Sequence, residues 1–502
     1  MKIKKVLIAN RGEIALRVMR TLREMGIRSA AVYSDADRKS LHVRYADEAY
    51  HIGPSPSVES YLNIDKIIAT AKRCKADAIH PGYGFLSENA RFSQRCEDEG
   101  IIFIGPSAYS ISTMGDKITA RKTMMKASVP VVPGTVDKIT DDQEALRIIK
   151  EIGLPVMIKA SAGGGGKGMR LVRNQQDVVS SIRAARSEAM AAFGDDAVYI
   201  EKYIDSPHHI EFQILADKHG HTIHLFEREC SVQRRHQKVI EETPSPLMNP
   251  KVRAEMGEHA VAAAKAVGYH GAGTIEFIVD DNLNYYFLEM NTRLQVEHPI
   301  TERVVGVDLV REQVLIAAGE HLQLKQEELQ QKGHAIECRI YAEDHEQNFR
   351  PSPGLIKHIS EPLGPGIRHD GYVYSGFEIP IYYDPMISKL VAWAPTREEA
   401  IERMKRALFE YKVTGVKTSI PFLARVMDAP DFISGKYNTH FIENNLDFLM
   451  KQKSGADNCE ELAIIAALVD YTDKLGSDTA KKPVSTETSK WKEFGRRKAM
   501  RQ

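Results

Sequence analysis

The sequence predicts a protein of mixed α/β and α+β class, in which a parallel amino-terminal region precedes a larger region with an inserted lid and a mixed carboxy-terminal region. The parallel sheet is predicted because apolar runs alternate with helical patterns, and strands joined by helices lie parallel. The lid is predicted because a glycine run lies between two strand patterns. The mixed region is predicted because short strand and turn patterns follow from about residue 333.

The overall composition limits the class of protein. The 502 residues suffice for about three or four domains, and 68 basic residues balance 68 acidic ones. This balance gives no electrostatic reason to expect nucleic acid or an anionic membrane as a partner. The first apolar run is too short for a signal peptide, and no later run would span a membrane. The five cysteines lack a Cys-x-x-Cys spacing, which argues against disulfides and structural zinc. We therefore expect a cytoplasmic soluble enzyme.

The amino-terminal region is predicted to contain a sheet with a binding site at one edge. Apolar residues recur at helical spacing from Ile14 to Met25, which predicts a helix ending at Gly26. Ligands of such sheets bind beyond the carboxyl ends of the strands, so the loop Pro81–Phe85 is a candidate site. Its glycines are equally explained by a tight turn. The predicted strands are Lys5–Ala9, Ala30–Tyr33, Ala76–His80 and Ile101–Ile104.

A change of pattern after Met114 predicts the lid and the domain boundaries. Helices at Lys117–Lys126 and Gln143–Ile152 lead into three lid strands, which are predicted at Pro155–Ala160, Met169–Val172 and Val198–Tyr203. A later helix is predicted at Glu398–Tyr411, and a last one at Glu461–Leu475 precedes a polar tail. The predicted division is an amino-terminal domain at 1–114, a central domain at 115–332 with its lid at about 131–203, a carboxy-terminal domain at 333–447, and the helix and tail at 448–502.

The glycine run at residues 161–168 suggests a cradle for phosphate groups. A dinucleotide-binding loop would require a helix after the glycines, but Met169–Val172 has the pattern of a strand. A Walker A loop is excluded because Ser161 replaces its first glycine and Gly168 its Ser or Thr. Protein kinases use a glycine-rich hairpin, but the chain has no HRD or DFG triplet. A hairpin whose amides cover a polyphosphate remains, flanked by Lys159 and Lys167. A surface loop without function is the alternative.

Two strand patterns around a polar turn, Thr274–Val279 and Tyr285–Asn291, predict a hairpin that carries paired carboxylates. If the turn is centred between residues 282 and 283, Glu276 lies directly opposite Glu289. Two carboxylates held so close repel each other unless a cation lies between them, and carboxylates with phosphate oxygens are the usual surroundings of Mg²⁺. The alternative is a solvated face with two unrelated glutamates.

Polar residues continue at every second position after the hairpin. An extended chain would place them on one face, with metal at one end, an oxyanion in the middle and a general base at Glu297. A second polar run, Gln233–Lys238, is basic, but it lacks aromatic residues for base stacking and glutamates flank it. We interpret it as an anion-binding segment. The residues at every second position are Glu289, Asn291, Arg293, Gln295 and Glu297.

Four segments make the chain resemble the biotin carboxylases of the ATP-grasp superfamily over about residues 1–447. They are Ile8–Ala15, His80–Asn89, Arg234–Lys238 and Glu289–His298. The resemblance implies an ATP-grasp fold with an amino-terminal pre-ATP-grasp domain, an inserted lid and a carboxy-terminal mixed α/β domain. The activity that it implies is the carboxylation of biotin with ATP and bicarbonate by a subunit of an acyl-CoA or pyruvate carboxylase.

The resemblance also implies which residues bind the nucleotide and the metal. The residues implied to hold the ATP phosphates are Lys117, Lys159, Gly163, Gly164, Gly165 and Gly166. Those implied to line the adenosine site are Glu201, Lys202, His209, Gln233 and His236. Magnesium, or manganese in its place, would be held by Glu276, Glu289 and Asn291.

The chemical steps are likewise implied by the resemblance. Glu297 would deprotonate bicarbonate, which would attack the γ-phosphate to give carboxyphosphate. This intermediate would break to CO₂ and phosphate, and the phosphate would take the N1′ proton of biotin. Arg339 would stabilise the ureido enolate, and Tyr83 would lie near the biotin ring. Bicarbonate would be bound by Lys238, Arg293, Gln295 and the backbone of Val296.

The expected partners follow from the same resemblance and from a missing motif. Biotin carrier domains contain an Ala-Met-Lys-Met turn, which this sequence lacks. We therefore expect a biotin carboxyl carrier protein and a carboxyltransferase on separate chains, and the family implies a homodimer. The final acceptor, whether acetyl-CoA, propionyl-CoA or pyruvate, stays open. One alternative is another ATP-grasp ligase, and a second is a nucleotide-binding subunit without turnover. The first would not explain Arg339 or the segment His80–Asn89, and Glu297, Lys238 and Arg339 argue against the second.

Overall fold

The computed structural model describes residues 3–135, 139, 141–160, 169–193, 198–450 and 464–469. The chain forms two compact units, residues 1–449 and residues 450–502, and in the second unit residues 464–469 are helical. The predicted glycine cradle at residues 161–168, with Gly163–Gly166, lies outside the described residues, as does most of the predicted helix Glu461–Leu475. No described helix is long and apolar enough to cross a membrane.

A five-stranded parallel sheet forms the amino-terminal part. Its order is β3-β2-β1-β4-β5, and it confirms the predicted parallel arrangement. The third strand was not predicted because it is an edge strand that alternates exposed and half-buried residues instead of forming an apolar run. The strands are β1 Lys5–Ile8, β2 Arg28–Ser34, β3 Glu48–Gly53, β4 Ala78–His80 and β5 Ile102–Phe103.

Six helices accompany this sheet and lead away from it. The first is buried on almost every side, including its charged residues Glu13 and Arg17, because protein packs against both of its faces. The fourth begins at a side-chain cap, where Asn89 accepts a hydrogen bond from the Phe92 amide at 2.9 Å. The helices are α1 Gly12–Glu24, α2 Leu41–Tyr45, α3 Ile64–Cys74, α4 Ala90–Asp98, α5 Ala108–Gly115 and α6 Lys117–Lys126.

A three-stranded antiparallel sheet with two helices forms the lid. Its strand order is β7-β6-β8, and its core includes Ile149, Val156 and Val198. The predicted lid strands are confirmed to within one residue at each end. The lid elements are α7 Asp142–Ile152, β6 Val156–Ala160, β7 Met169–Val172, α8 Val178–Phe193 and β8 Val198–Lys202.

An eight-stranded antiparallel sheet forms the centre, in the order β13-β12-β9-β10-β11-β14-β21-β19, where β21 is Met386–Ala394 and β19 is Ile367–Gly371. It continues past residue 333, because β11 pairs with β14. Its first six strands are β9 His208–Ala216, β10 Thr222–Arg234, β11 Gln237–Thr243, β12 Gly271–Val279, β13 Tyr285–Asn291 and β14 His334–Tyr341. The helices between them are α9 Pro250–Ala266, α10 His298–Val305 and α11 Leu309–Ala317.

The carboxy-terminal part adds short strands and five helices. The predicted helix Glu398–Tyr411 corresponds to α12, whereas α13 and the short helices α14 to α16 were not predicted. The strands are β15 Glu343–Asp344, β16 Arg350–Pro351, β17 Gly354–Leu355, β18 His358–Ser360, β19 Ile367–Gly371, β20 Glu378–Ile379, β21 Met386–Ala394 and β22 Lys412–Thr414. The helices are α12 Arg397–Glu410, α13 Ile420–Asp428, α14 Pro430–Ser434, α15 Phe441–Asn444 and α16 Leu446–Met450.

Successive side chains of β14 point alternately into the apolar core and toward the charged site. Its residues Ile336, Cys338 and Ile340 face the apolar core that includes α12 and α13. Glu337 and Arg339 point to the opposite face, because successive strand residues alternate sides. That second face of β14 is covered by α10, and both charged residues are buried there.

Candidate active site

The hairpin of β12 and β13 carries the predicted pair of glutamates. Glu276 lies directly opposite Glu289, as the sequence predicts. Val279 pairs with Tyr285, so the turn is one residue longer than predicted. Leu288 is an additional residue on β13, and this bulge restores the predicted pairing of Glu276 with Glu289.

The pair belongs to a row of opposed residues across the sheet. Glu276 on β12 also lies directly opposite Glu211 on β9, which lies opposite Arg228 on β10. Glu211 is buried and accepts from Arg228 Nε at 2.5 Å. One face of the sheet therefore presents three carboxylates side by side, with Glu289 at the exposed end.

Glu276 is held as a carboxylate by the groups around it. Its Oε1 accepts from Lys238 Nζ at 2.8 Å, from Asn291 Nδ2 at 2.7 Å and from Gln295 Nε2 at 3.0 Å. Its Oε2 lies 2.8 Å from His209 Nε2. Burial by itself raises the pKa of Glu276, but Lys238 and His209 outweigh burial and lower it well below its usual range.

Glu289 has the opposite electrostatic balance. Its side chain is exposed, yet desolvation and the negative charge of Glu276 raise its pKa. A cation between the two carboxylates would remove this repulsion. The pair, with the amide oxygen of Asn291, is therefore a set of hard oxygen donors of the kind that Mg²⁺ prefers.

The predicted extended chain from Glu289 to Glu297 is wrong. The strand ends at Asn291, and the chain then turns so that Glu297 is the cap residue of α10. The predicted residues are nevertheless brought together by side-chain contacts. Arg293 donates to Asn291 Oδ1 at 2.9 Å and to Gln295 Oε1 at 2.7 Å. The alternation of polar residues predicted that these side chains lie together, but not the conformation of the chain that brings them together.

Lys238 is enclosed by three carboxylates. Its Nζ lies 2.5 Å from Glu211, 2.8 Å from Glu276 and 2.7 Å from Glu297. Burial lowers its pKa, but the three carboxylates raise it well above its usual value. Lys238 therefore stays an ammonium ion.

Glu297 is fully buried between two cations. Its Oε1 accepts from Lys238 at 2.7 Å and its Oε2 from Arg339 Nη2 at 3.0 Å. Burial opposes ionisation, but these two cations and Arg228 hold the pKa of Glu297 well below its usual range. Arg339 in turn donates from Nε to Glu241 at 2.6 Å, and burial raises the pKa of Glu241 to about 7 against the influence of Arg339.

Two cavities meet beside these residues. One, of about 550 Å³, is lined by Tyr83, Arg293, Val296 and Arg339. The second is about 400 Å³ and lies between the lid and the central sheet, and Glu88 lines both cavities. The predicted residues that line the second cavity are Lys117, Lys159, Glu201, Glu289 and Asn291.

The residues predicted for the adenosine site separate into two groups. Glu201 lines the second cavity and accepts from Lys159 Nζ at 2.5 Å, and Gln233 contacts His209 at 2.9 Å. Lys202 instead donates to the backbone oxygens of residues 153 and 154, at 3.2 and 2.8 Å. His236 is exposed in the two-residue turn between β10 and β11.

Three residues of the site had no role predicted from the sequence. Glu88 accepts from Arg293 Nε at 2.8 Å and from the Thr292 amide at 3.0 Å, which ties the loop after β4 to the turn after β13. Glu211 and Arg228 complete the charged row. Glu211 could have been found from the sequence because it alternates with apolar residues along β9, which indicates a polar face in a buried strand.

The lid sheet, the carboxylate hairpin and the parallel amino-terminal sheet together define an ATP-grasp protein. Family models match three consecutive parts of the chain. The biotin carboxylase N-terminal domain matches residues 2–111, the ATP-binding domain of the carbamoyl-phosphate synthase L chain matches residues 116–325, and the biotin carboxylase C-terminal domain matches residues 337–444.

Relatives with high sequence identity support the same assignment. Biotin carboxylase 1 of Bacillus subtilis is 54% identical over 442 residues, which cover 88% of this chain and 98% of that protein. The biotin carboxylase of a Nostoc species is 56% identical over 443 residues, which cover 88% of this chain and 99% of that protein. The chain belongs to the biotin carboxylase family and is an ATP-dependent ligase.

A solved structure shows the same fold with ligands. It is the dimer of the biotin carboxylase domain of 2-oxoglutarate carboxylase from Hydrogenobacter thermophilus, in complex with MgADP, ADP and bicarbonate. That domain is 49% identical to this chain, with a TM-score of 0.81, and the match covers 90% of this chain and 100% of that one.

Proposed function

We propose that this chain carboxylates the N1′ atom of biotin on a carrier protein, with ATP and bicarbonate as the other substrates. The observation that carries the proposal is the buried Glu297 carboxylate, which lies between Lys238 and Arg339 beside the cavity of about 550 Å³. A base between two cations is suited to an anion that must be bound and deprotonated.

The nucleotide would bind in the cavity between the lid and the central sheet. Lys117 and Lys159 line this cavity and would neutralise phosphate oxygens. Glu276, Glu289 and Asn291 would hold magnesium or manganese, and their oxygen donors fit such a cation. When bound, the metal would withdraw charge from the phosphate groups. The MgADP of the Hydrogenobacter structure supports this proposal.

Bicarbonate would bind beside Glu297, through Lys238, Arg293, Gln295 and the backbone of Val296. In this position Lys238 would interact with the bicarbonate anion and with Glu297 at the same time, so its attraction for the Glu297 carboxylate would weaken. The pKa of Glu297 would therefore be higher when bicarbonate is bound, which is the state in which the carboxylate has to take a proton. The deprotonated bicarbonate oxygen would attack the γ-phosphorus of ATP, and carboxyphosphate would form with release of ADP.

Biotin would bind in the cavity lined by Tyr83 and Arg339. Carboxyphosphate would break to CO₂ and phosphate, and the phosphate would take the N1′ proton. The guanidinium of Arg339 would stabilise the ureido oxyanion that results, and the nitrogen would then attack CO₂. The enclosed position of Arg339, which is 7% exposed, keeps this charge out of bulk water.

The proposed partners are a biotin carboxyl carrier protein and a carboxyltransferase on other chains, with two copies of this chain in a homodimer. The Bacillus relative, of which this chain spans 98%, and the dimer of the Hydrogenobacter domain support this arrangement. We also propose a cytoplasmic location and domains at 1–114, 115–332 and 333–447. The acceptor would be acetyl-CoA, propionyl-CoA or pyruvate.

A direct test is bicarbonate-dependent ATP hydrolysis by the purified chain, with and without free biotin. We expect biotin to stimulate ADP release and labelled bicarbonate to appear in carboxybiotin. ADP release without stimulation at high biotin would favour a different ATP-grasp ligase. Nucleotide binding with no turnover at all would favour a regulatory subunit.

A further inference from the structure

We propose that Lys389 is a positioning residue, which holds the turn at Val296 and Glu297 in the form that binds and deprotonates bicarbonate. The inference rests on the proposed function for its kinetic part. Lys389 is the single charged residue of β21, and its side chain is fully buried. Burying an ammonium ion is costly unless partners compensate for the lost water, so its contacts show what the charge is used for.

Three segments of the chain meet at the Lys389 ammonium. Its Nζ donates to the carbonyl oxygen of Val296 at 3.0 Å and lies 3.3 Å from Glu13 Oε2 on α1. It also lies 5.7 Å from the centre of the Tyr83 ring, in the loop after β4. The ammonium therefore joins the amino-terminal sheet, the turn before α10 and the central sheet.

The contact with Val296 acts directly on the proposed base. A peptide unit is planar, so fixing the carbonyl oxygen of Val296 also fixes the orientation of the Glu297 amide and the position of the Glu297 Cα, from which the side chain extends. The turn lies beyond the end of β13, where the ladder of strand hydrogen bonds has stopped. One of its carbonyls, that of Gln295, accepts from His298 Nδ1 at 2.8 Å, and the next, that of Val296, accepts from Lys389.

The competing explanation is that Lys389 serves only as the counterion of Glu13. Asp370, which lies opposite Lys389 on β19, is already paired with Arg368 at 2.7 Å. Glu13 has no hydrogen-bond partner for either oxygen within the described residues, and Lys389 is the cation beside it. A pure ion pair could be replaced by two neutral residues, whereas support of Val296 requires a donor at position 389.

The experiment compares four variants with the unaltered chain: Lys389→Met, Lys389→Arg, Glu13→Gln, and the double variant Glu13→Gln/Lys389→Met. We expect Lys389→Met and the double variant to raise the KM for bicarbonate roughly ten- to hundredfold, with the KM for ATP changed by less than about threefold. Glu13→Gln should keep a KM near that of the unaltered chain. Lys389→Arg retains a donor at this position, so its KM for bicarbonate should lie between that of Lys389→Met and that of the unaltered chain. Thermal melting establishes that each variant is folded.

Two results would overturn the proposal. The first is a double variant that regains the bicarbonate KM of the unaltered chain, which would leave Lys389 as a counterion. The second is structural and does not depend on which reaction the protein catalyses. We expect a crystal structure of the double variant to show Glu297 displaced from Lys238 and Arg339, and an unchanged turn would contradict the positioning role. An unaltered chain that lacks bicarbonate-dependent turnover would instead contradict the proposed function.

Discussion

Among the glutamates that lie directly opposite each other on adjacent antiparallel strands, two pairs differ in how their charge is balanced. Glu276 and Glu289 form the first pair, on β12 and β13, and Glu241 and Glu337 form the second, on β11 and β14. The first pair ends at an exposed residue beside a cavity. The second is fully buried, and within the described residues neither oxygen of Glu337 has a hydrogen-bond partner.

Glu276 and Glu337 are both buried, so the difference shows that contact with cations decides whether a buried carboxyl group is charged or holds a proton. Lysine and histidine lower the pKa of Glu276 well below its usual range, so this member of the first pair stays negative, which suits a metal. Burial raises the pKa of Glu337 well above its usual value, so the second pair holds a proton. Glu297 connects them, because it shares Lys238 with Glu276 and Arg339 with Glu241.

The largest effect is expected from Glu297→Ala, which removes the group that joins the two pairs. We expect carboxybiotin formation to fall by about two to four orders of magnitude, because a positioned general base contributes roughly that factor. ATP binding, measured by calorimetry, should persist because Glu297 lies outside the nucleotide cavity. Substantial turnover in the variant would exclude Glu297 as the base.

Glu276→Gln removes the buried charge of the first pair, leaves that of Glu289, and should have the next largest effect. We expect kcat/KM for MgATP to fall by about a hundredfold or more, as is usual when the support of a metal site is lost. The matched control is Glu337→Gln, which replaces a protonated carboxyl group by an amide of the same shape. Its activity should stay within about threefold of the original. Equal losses in both variants would show that the two pairs do not differ as described.

The pH dependence of stability should distinguish the buried pair. Glu337 keeps its proton in the folded protein above the pH, about 4.5, at which the unfolded chain loses it, so rising pH lowers the free energy of unfolding. The slope is up to about 1.4 kcal/mol per pH unit until the folded pKa is reached. Glu337→Gln removes this slope.

Chemical denaturation at about pH 5 and about pH 8 measures this difference. We expect the variant to gain stability relative to the unaltered chain as the pH rises between these values. A difference that stays constant across this range would mean that Glu337 is ionised in the folded protein.

The smallest effect is expected in ligand-dependent melting. MgADP at about a hundred times its Kd should raise the melting temperature by a few degrees, roughly 2–5 °C. Glu289→Gln should reduce the part of this rise that depends on magnesium, whereas Glu337→Gln should keep it. Differential scanning fluorimetry with ADP alone, and with ADP and Mg²⁺, separates the two contributions.

The sequence predicted four of the five strands of the parallel sheet, the three lid strands and the carboxylate hairpin, because their patterns are local, but it did not predict the central strands β9, β10, β11, β14 and β21. It also predicted the pairing of Glu276 with Glu289, since a hairpin register follows from its turn. It did not predict the bulge at Leu288, and the register was right because the bulge compensated for a turn one residue longer than expected. The turn after Asn291 was missed because alternating polarity is equally compatible with an extended strand and with a turn whose side chains converge.

The sequence by itself determined the strands of the lid, most of the parallel sheet and the carboxylate hairpin, and four of its segments identified the family. Only the tertiary structure decided the buried network around Glu297. Its members Lys238, Arg339 and Lys389 lie on β11, β14 and β21, and the connections between these strands are long. The physical reason is that opposed charges become partners through strand pairing and burial, which set both their distances and their pKa values. No local pattern of residues carries that information.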